Sequence, residues 1–595
     1  MSNSSSPHAR GDFSTNRRLL FLVLLAACIG SVSALVAKLL LWLIAFFTNL
    51  LYYARISFET AAPSDAHWGI WFFLVPVVGG LVIGLMARFG SDKIRGHGIP
   101  EALEAILFGK SIMQPKVAVL KPLSSAISIG SGGPFGAEGP IIMTGGAFGS
   151  LLAQYFHLTA AERKTLLVAG AAAGMSAIFA TPIAAVLLAV ELMLFEWKPR
   201  SLVPVATAAA IAAVMRVHLL GEGPIFPMHA AADFGDFILL QAVGVGLVAG
   251  LFSTLLSKTL YKLEDVFAHS KIHWMWWPAM GGLIVGIGGI FEPRALGVGY
   301  DVIGDLLNGS MGQNQVIGIL AVKAVIWLVA LSSGTSGGVL APVLIIGCSL
   351  GSLEAHWIFG DNTMALWALV SMGAVMGGIL RSPFTAILFC FELTHDIPSL
   401  LPLLVASVSS YTFTVLTMKR SILTEKISRR GYDIFCEYMV DPLERVKARE
   451  VMTPNPQVID ATMPSSTLLQ DTFLRGKHRG YPVVTRTPEG KESILGVVVL
   501  SDLEKVPGLD DLSKLTARDF IRRSPISVTP DTSCKDAADA MAAADIGRLL
   551  IVENGELKGI LTRSDLLKAR QAHLKEEGVR ETILSKPRGF PYFDR

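Results

Sequence analysis

The chain has 595 residues, 52% of them hydrophobic and 17% charged, with a formal net charge of +3. Soluble globular chains carry about 25% charge, so the composition argues against a purely water-soluble protein. The near-balanced charge and the lack of a long basic run set aside a nucleic-acid partner, whose phosphates demand clustered Lys and Arg.

About half of all Asp, Glu, Lys and Arg follow Gly431, so an apolar body precedes a polar tail. The five cysteines, Cys28, Cys348, Cys390, Cys436 and Cys534, are odd in number and far apart. They predict free thiols, with neither a disulfide framework nor a metal-ligand spacing.

Residues 1–18 are polar and predict an N-terminal tail, with Arg10, Arg17 and Arg18 just before an apolar stretch from Leu19 to Tyr53. That stretch exceeds a signal-peptide core of about 7–15 residues and predicts a retained first membrane helix. Lys38 within it must snorkel or face protein. Further apolar runs follow at 69–88, 116–129, 139–156, 165–194, 201–219, 236–258, 274–291, 315–332, 339–358, 364–380, 383–393 and 398–418. Several are too short to cross a bilayer, and Gly-rich breaks such as 130–134 and 334–338 interrupt them. Such backbone is tolerated at membrane depth only where protein buries it or a polar cavity meets it, so the breaks predict a permeation pathway.

The body repeats itself. Ser131-Gly132-Gly133 recurs as Ser336-Gly337-Gly338, and the stretch from Thr181-Pro182 to Glu191-Leu192 recurs from Ser382-Pro383 to Glu392-Leu393. This pattern predicts a two-fold repeat whose broken helices meet at a midplane site. Three helix starts opened by Gly and Pro, at 96–101, 136–140 and 338–342, offer free amides and partial positive charge, which suit a small anion. Glu138 sits between Ala137 and Gly139 at one such start. An ionised carboxylate there would take the anion's place and leave it when protonated, which makes a gate coupled to pH. The alternative is a carboxylate that only caps the helix.

These residues resemble the CLC family of chloride channels and chloride/proton exchangers over nearly all of 19–430. The signatures are Gly96-His97-Gly98-Ile99-Pro100-Glu101, Gly136-Ala137-Glu138-Gly139-Pro140 and Gly338-Val339-Leu340-Ala341-Pro342. The resemblance implies an all-α polytopic membrane domain of inverted repeats and a homodimer with one anion pathway per subunit. It makes Glu138 the gate and places the anion against His97, Gly98, Ile99, Pro100, Gly136, Ala137, Gly139, Val339, Leu340 and Leu423. Four positions depart from the family. Its filter serine is His97, the arginine before the gate is Ala137, the aromatic of the third signature is Leu340, and the pore tyrosine is Leu423. His97 offers an N–H in place of the lost hydroxyls, or it is a turn histidine. The internal glutamate of the exchangers aligns with Leu192, which leaves Glu191 and Glu196 as candidates for a proton path, although Glu191 and its repeat partner Glu392 also suit structural helix ends.

From Lys447 short helices alternate with Val/Ile-rich strands in two similar units. They resemble a tandem pair of cystathionine beta-synthase-type (CBS) domains with an α/β fold, at 447–508 and 516–574, after a linker at 431–446 and before a tail at 575–595. The resemblance implies regulation and a candidate adenine-nucleotide site at Thr562 and Asp565; the first unit has Val499 before Asp502. By the positive-inside rule, Lys419, Arg420, Lys426, Arg429 and Arg430 after the last apolar run predict a multi-pass protein of the cell (inner) membrane with both termini cytoplasmic. The expected cargo is chloride, with protons as a candidate second ion, and no cofactor or metal is required. Nitrate or fluoride is the alternative cargo, and a CBS-regulated cation transporter the rival class. A cation pore calls for acidic rings. A membrane metalloprotease, and with it an enzyme, calls for His-Glu-x-x-His, which the chain lacks.

Overall fold

The computed structural model describes residues 17–66, 69–228, 237–431, 442–444, 446–476, 478–486, 492–500 and 515–578. It divides into two compact units, Met1–Tyr438 with Arg580–Arg595, and Met439–Val579. Cys436 and Asp502 lie outside the described residues, as do most of the linker and both tails.

The first unit is helical. In chain order it holds α1 (Arg18–Tyr53), α2 (Val75–Phe89), α3 (Ile99–Leu107), α4 (Pro115–Gly130), α5 (Glu138–Tyr155) and α6 (Ala160–Phe179). There follow α7 (Pro182–Leu188), α8 (Pro199–Leu220), α9 (Ile238–His269), α10 (Trp277–Phe291), α11 (Tyr300–Leu307) and α12 (Gln313–Ser332). The last five are α13 (Leu340–Glu354), α14 (Met364–Leu380), α15 (Pro383–Thr394), α16 (Leu400–Thr417) and α17 (Ile422–Ser428). Among the described residues, 8 helical stretches are long and apolar enough to cross a membrane. The 36 residues of α1 make a rod of roughly 54 Å, which must tilt in or project beyond a hydrocarbon layer of about 30 Å. Lys38 on α1 is half-buried, with its ammonium 4.9 Å from the Trp42 ring.

Two apolar runs fold differently from the expectation. The run 165–194 is two helices, because Ala180 takes a left-handed conformation (φ 57°) and Thr181 precedes proline, which disfavours helical backbone there. The second half repeats the break at Arg381 (φ 58°) and Ser382 before Pro383. The run 236–258 continues as helix to His269, since its polar end keeps good helix formers and no breaker. Buried Ala, Gly, Leu and Ile of α5, α6, α13 and α14 form the centre of the apolar core, with the outer helices exposing Leu, Val and Ile on their other faces.

The second unit carries two small sheets. Strands β2 (Ile459–Asp460), β3 (Gly480–Arg486) and β4 (Glu492–Val499) form one, in the order β2-β3-β4. The other runs β1-β7-β6-β5, from β1 (Thr453–Pro454), β5 (Ser527–Val528), β6 (Arg548–Glu553) and β7 (Glu556–Thr562). β1 belongs to the first sequence repeat yet pairs antiparallel with β7 of the second, so the two repeats share a sheet. There are two cores, one around Tyr481, Val483 and Val498 that also takes Ala517 and Phe520 from the second repeat, the other around Met541, Leu549 and Ile551 that also takes Ala448 from the first.

Candidate functional site

The two loops that break the halves meet edge to edge. Gly338 N–H donates to the Gly136 carbonyl at 2.9 Å, and Gly136 and Gly338 form an antiparallel bridge. The start of α3 joins them: Gly337 N–H donates to the Gly96 carbonyl at 3.4 Å, and a Cβ on Gly139 would strike the His97 carbonyl and stand 3.2 Å from Gly338 Cα. The N-termini of α3, α5 and α13 therefore converge, and Gly98 (φ 86°) turns the chain into α3.

Glu138 opens α5 and is fully buried. Its Oε1 accepts from the Ala341 N–H at 3.0 Å, and the amides of Leu340 and of Glu138 itself also face the carboxylate. The seat is made by absent side chains: a Cβ on Gly136 would run into Oε2, and one on Gly338 would stand 2.5 Å from Oε1. Oε2 has no hydrogen-bond partner among the described residues. A carboxylate in a cradle of helix-start amides occupies a place suited to a small anion. Ile99, Ala137, Val339 and Leu340 are buried, as are Gly98, Pro100, Gly136 and Gly139.

His97 is buried, and its Nδ1 has no hydrogen-bond partner among the described residues. This is a closed environment, not a turn exposed to water. Leu423 is also fully buried, on α17, which packs against α3 and α14 and supplies no polar atom at that position. The α3–α17 junction is held by Glu101, whose Oε1 lies 2.8 Å from Arg430 and 3.1 Å from Lys426. Beside Gly96 a cavity of about 470 Å³ opens, lined by charges of both signs that include Arg95, Glu101, Glu264 and Lys426.

Sequence reasoning missed two buried lysines. Lys121 donates to the carbonyls of Ile94 and Gly96 at 2.9 and 2.7 Å and to Ser336 Oγ at 3.1 Å, which ties the first signature to the loop of the other half. Ser124 and Ser125 also meet Ser336 Oγ, at 3.1 and 2.9 Å. Lys323 repeats the arrangement on the carbonyls of Ala295 and Gly297, at 2.9 and 2.8 Å. Both stand inside apolar runs, where an ionisable residue is costly, and that signal could have found them. Tyr300, in electrostatic reach of Glu138, has a buried hydroxyl without a partner among the described residues; its ring packs against Phe179 and Phe226.

The repeat places Glu191 and Glu392 as reciprocal caps. Glu392 accepts from the N–H groups of Ile183 and Ala184 at the start of α7, at 3.0 and 2.8 Å. Glu191 accepts from the N–H groups of Phe384 and Thr385 and from the Thr385 hydroxyl at the start of α15, at 3.3, 2.8 and 2.5 Å. Glu196 pairs with Lys198 at 2.7 Å and accepts from Ser201 Oγ, before and within α8. Leu192 is buried.

In the second unit Thr562 and Asp565 bond each other: Asp565 Oδ2 accepts from the Thr562 N–H at 3.0 Å and its hydroxyl at 2.6 Å. They close the turn between β7 and the helix Arg563–Gly578. A similar turn at Thr516 and Asp519 holds the Asp519 carboxyl below the usual range through the Thr516 N–H and hydroxyl. Burial pushes the Cys534 thiol up to about 11, so it is inert at neutral pH. Cys28, Cys348, Cys390 and Cys534 are all free thiols.

Known proteins agree with this layout. The family profile described as voltage gated chloride channel matches residues 79–415, and that of the CBS domain matches 448–507 and 517–572. A protein of Ralstonia nicotianae described as ClcB-like is 29% identical over 374 residues, 60% of this chain and 86% of its own length. The H(+)/Cl(-) exchange transporter ClcA of Salmonella newport is 27% identical over 405 residues, 66% of this chain and 85% of its own. The crystal structure of a slow cyanobacterial Cl−/H+ antiporter superposes with a TM-score of 0.62 at 21% identity, over 70% of this chain and 99% of that one. That of a eukaryotic CLC transporter gives 0.61 at 19%, over 92% and 98%. At those identities the two structures speak for the fold.

Proposed function

The chain belongs to the voltage gated chloride channel family, and from that premise we propose that it carries chloride across a membrane through the seat now held by the Glu138 carboxylate. The observation that supports this reading most directly is the seat itself, a glycine-walled cradle of helix-start amides filled by the Glu138 carboxylate. A proton on Glu138 removes the charge that the amides attract, the side chain leaves, and chloride takes its place. The amides around Val339 and Leu340 bind the ion without a full cation, so it is not held too tightly to leave. His97, buried with a ring nitrogen that has no partner among the described residues, supplies the donor that the missing hydroxyls of the family would give.

Proton exchange is a separate step. Leu192 stands where the family's exchangers carry a glutamate, and Glu191 and Glu196 are each engaged in hydrogen bonds at helix starts. A relay through Glu191 must break a helix cap and one through Glu196 must break its bonds to Lys198 and Ser201, so the proposal is that protons reach Glu138 as a gating signal and are not carried in fixed ratio. The protein acts as a homodimer in the cell membrane with both termini in the cytoplasm, and the CBS pair is its regulator, with Thr562 and Asp565 as the place for an adenine nucleotide. It is a transporter and not an enzyme.

The test is chloride efflux from proteoliposomes across pH 4.5 to 7.5. Efflux that quickens toward acid agrees with the gate; a flat profile contradicts it.

A further inference from the structure

A second cavity, of about 360 Å³, opens between the basic end of α9 and the corner that joins α16 to α17. Lys258, Lys262, Lys419, Arg420 and Arg429 line it, with Asp265 and Glu425. Both carboxylates are committed. Asp265 lies 2.5 Å from Arg429, and Glu425 lies 3.2 Å from Arg429 and 3.7 Å from Arg420. The ammonium groups of Lys258, Lys262 and Lys419 are exposed and have no ion pair or hydrogen bond among the described residues. Lys258 and Lys262 stand one turn apart on one helix face, where like charges repel. Ser257, 2% exposed, also lines the cavity, and its Oγ has no hydrogen-bond partner among the described residues.

The walls are fixed. The Tyr261 hydroxyl donates to the Ile422 carbonyl, the hydroxyls of Thr254 and Thr417 meet at 3.1 Å, and Arg381 donates to the carbonyls of Thr414 and Lys419 at 2.9 and 3.2 Å. Toward the middle of α9 the lysine face continues as Leu251 and Leu255, 59% and 58% exposed, and Leu416 on α16 is 81% exposed. Uncompensated cations at the mouth, a buried hydroxyl without a partner among the described residues in the wall, and exposed apolar side chains on α9 and α16 match one class of ligand.

We infer that this groove binds an anionic phospholipid, its phosphate on Lys258, Lys262, Lys419 and Ser257 and its acyl chain along Leu251, Leu255 and Leu416. A free phosphate would use the cations and leave the leucines bare; the lipid uses both. Basic pockets between membrane helices on the cytoplasmic side hold such headgroups, and each Lys near an anionic surface is worth about a five-fold gain in affinity. Losing two should therefore weaken binding by about 25-fold.

The experiment titrates delipidated full-length protein in detergent with dioleoylphosphatidylglycerol and counts bound lipid by native mass spectrometry. Four arms accompany the wild type: phosphatidylcholine, inorganic phosphate as competitor, the pair Lys258→Gln with Lys262→Gln, and a control pair of equal charge change, Lys116→Gln with Lys271→Gln. All four lysines are exposed, so the folds should hold. The inference expects phosphatidylglycerol to bind the wild type and the control pair alike, at least ten-fold more weakly to the groove pair, with phosphatidylcholine weak throughout and phosphate unable to displace the lipid. Equal binding to wild type and groove pair, equal loss in both pairs, or displacement by inorganic phosphate overturns it.

Discussion

Replacing Glu138 by Gln keeps the side-chain shape and removes the charge that holds it in its seat. Oε1 accepts from the Ala341 N–H at 3.0 Å, and two further amides face the same carboxylate. A hydrogen bond to a charged group contributes about 1.5–3 kcal/mol against about 0.5–1.5 for a neutral one, so three amides lose about 3 kcal/mol together. At about 1.4 kcal/mol per tenfold, the side chain occupies the seat roughly 100-fold less, and chloride competes for it at any pH. The sign follows from competition: in the wild type, protons unseat the carboxylate, so transport rises as pH falls, whereas Gln has nothing to titrate. Chloride efflux from proteoliposomes should be acid-stimulated in the wild type. In Glu138→Gln it should be flat from pH 4.5 to 7.5, at or above the wild-type acid rate. A Glu138→Gln protein that keeps the wild-type acid stimulation would refute the gate, because some other group would then be titrating.

Other consequences are narrower. Lys121→Met strands the carbonyls of Ile94 and Gly96 and should cost about 3 kcal/mol, seen as a lower thermal midpoint in detergent; an unchanged midpoint would show that the bridge between the halves is idle. Glu392→Gln and Glu191→Gln each weaken a helix cap and should cost about 1 kcal/mol, with chloride transport retained; loss of proton movement with stability intact in Glu191→Gln would instead mark a relay. His97→Ala removes a candidate donor and should lower chloride selectivity over nitrate in reversal-potential measurements; an unaltered ratio makes His97 a packing residue. Asp519 has a depressed carboxyl, so its contribution to the CBS unit is present at neutral pH and lost as pH falls through its folded value; Asp519→Asn should flatten the acid limb of the unfolding curve.

Much of the membrane unit was legible because its signals are local. Gly and Pro at helix starts force breaks wherever the chain is helical, and the Pro-to-Glu register of the repeat reappears as matched left-handed residues at Ala180 and Arg381. Convergence of the starts of α3, α5 and α13 followed from the same marks. Less legible was what depends on partners distant in sequence. Nothing near Glu191 announces that it caps α15, nor near Glu392 that it caps α7, since each partner lies in the other half. Lys121 and Lys323 read as interruptions of apolar runs until their carbonyl partners are known. The sharing of a sheet by the CBS repeats is equally hidden, for β1 has two residues and no pattern of its own.

The central claim, that chloride passes through the Glu138 seat, meets its most direct test in proteoliposomes loaded with potassium chloride and watched by a chloride electrode and a pH electrode together. Valinomycin lets potassium follow. The account predicts chloride release that begins with the ionophore, quickens in acid, and proceeds without uphill proton uptake; chloride retained behind an open potassium path would contradict it.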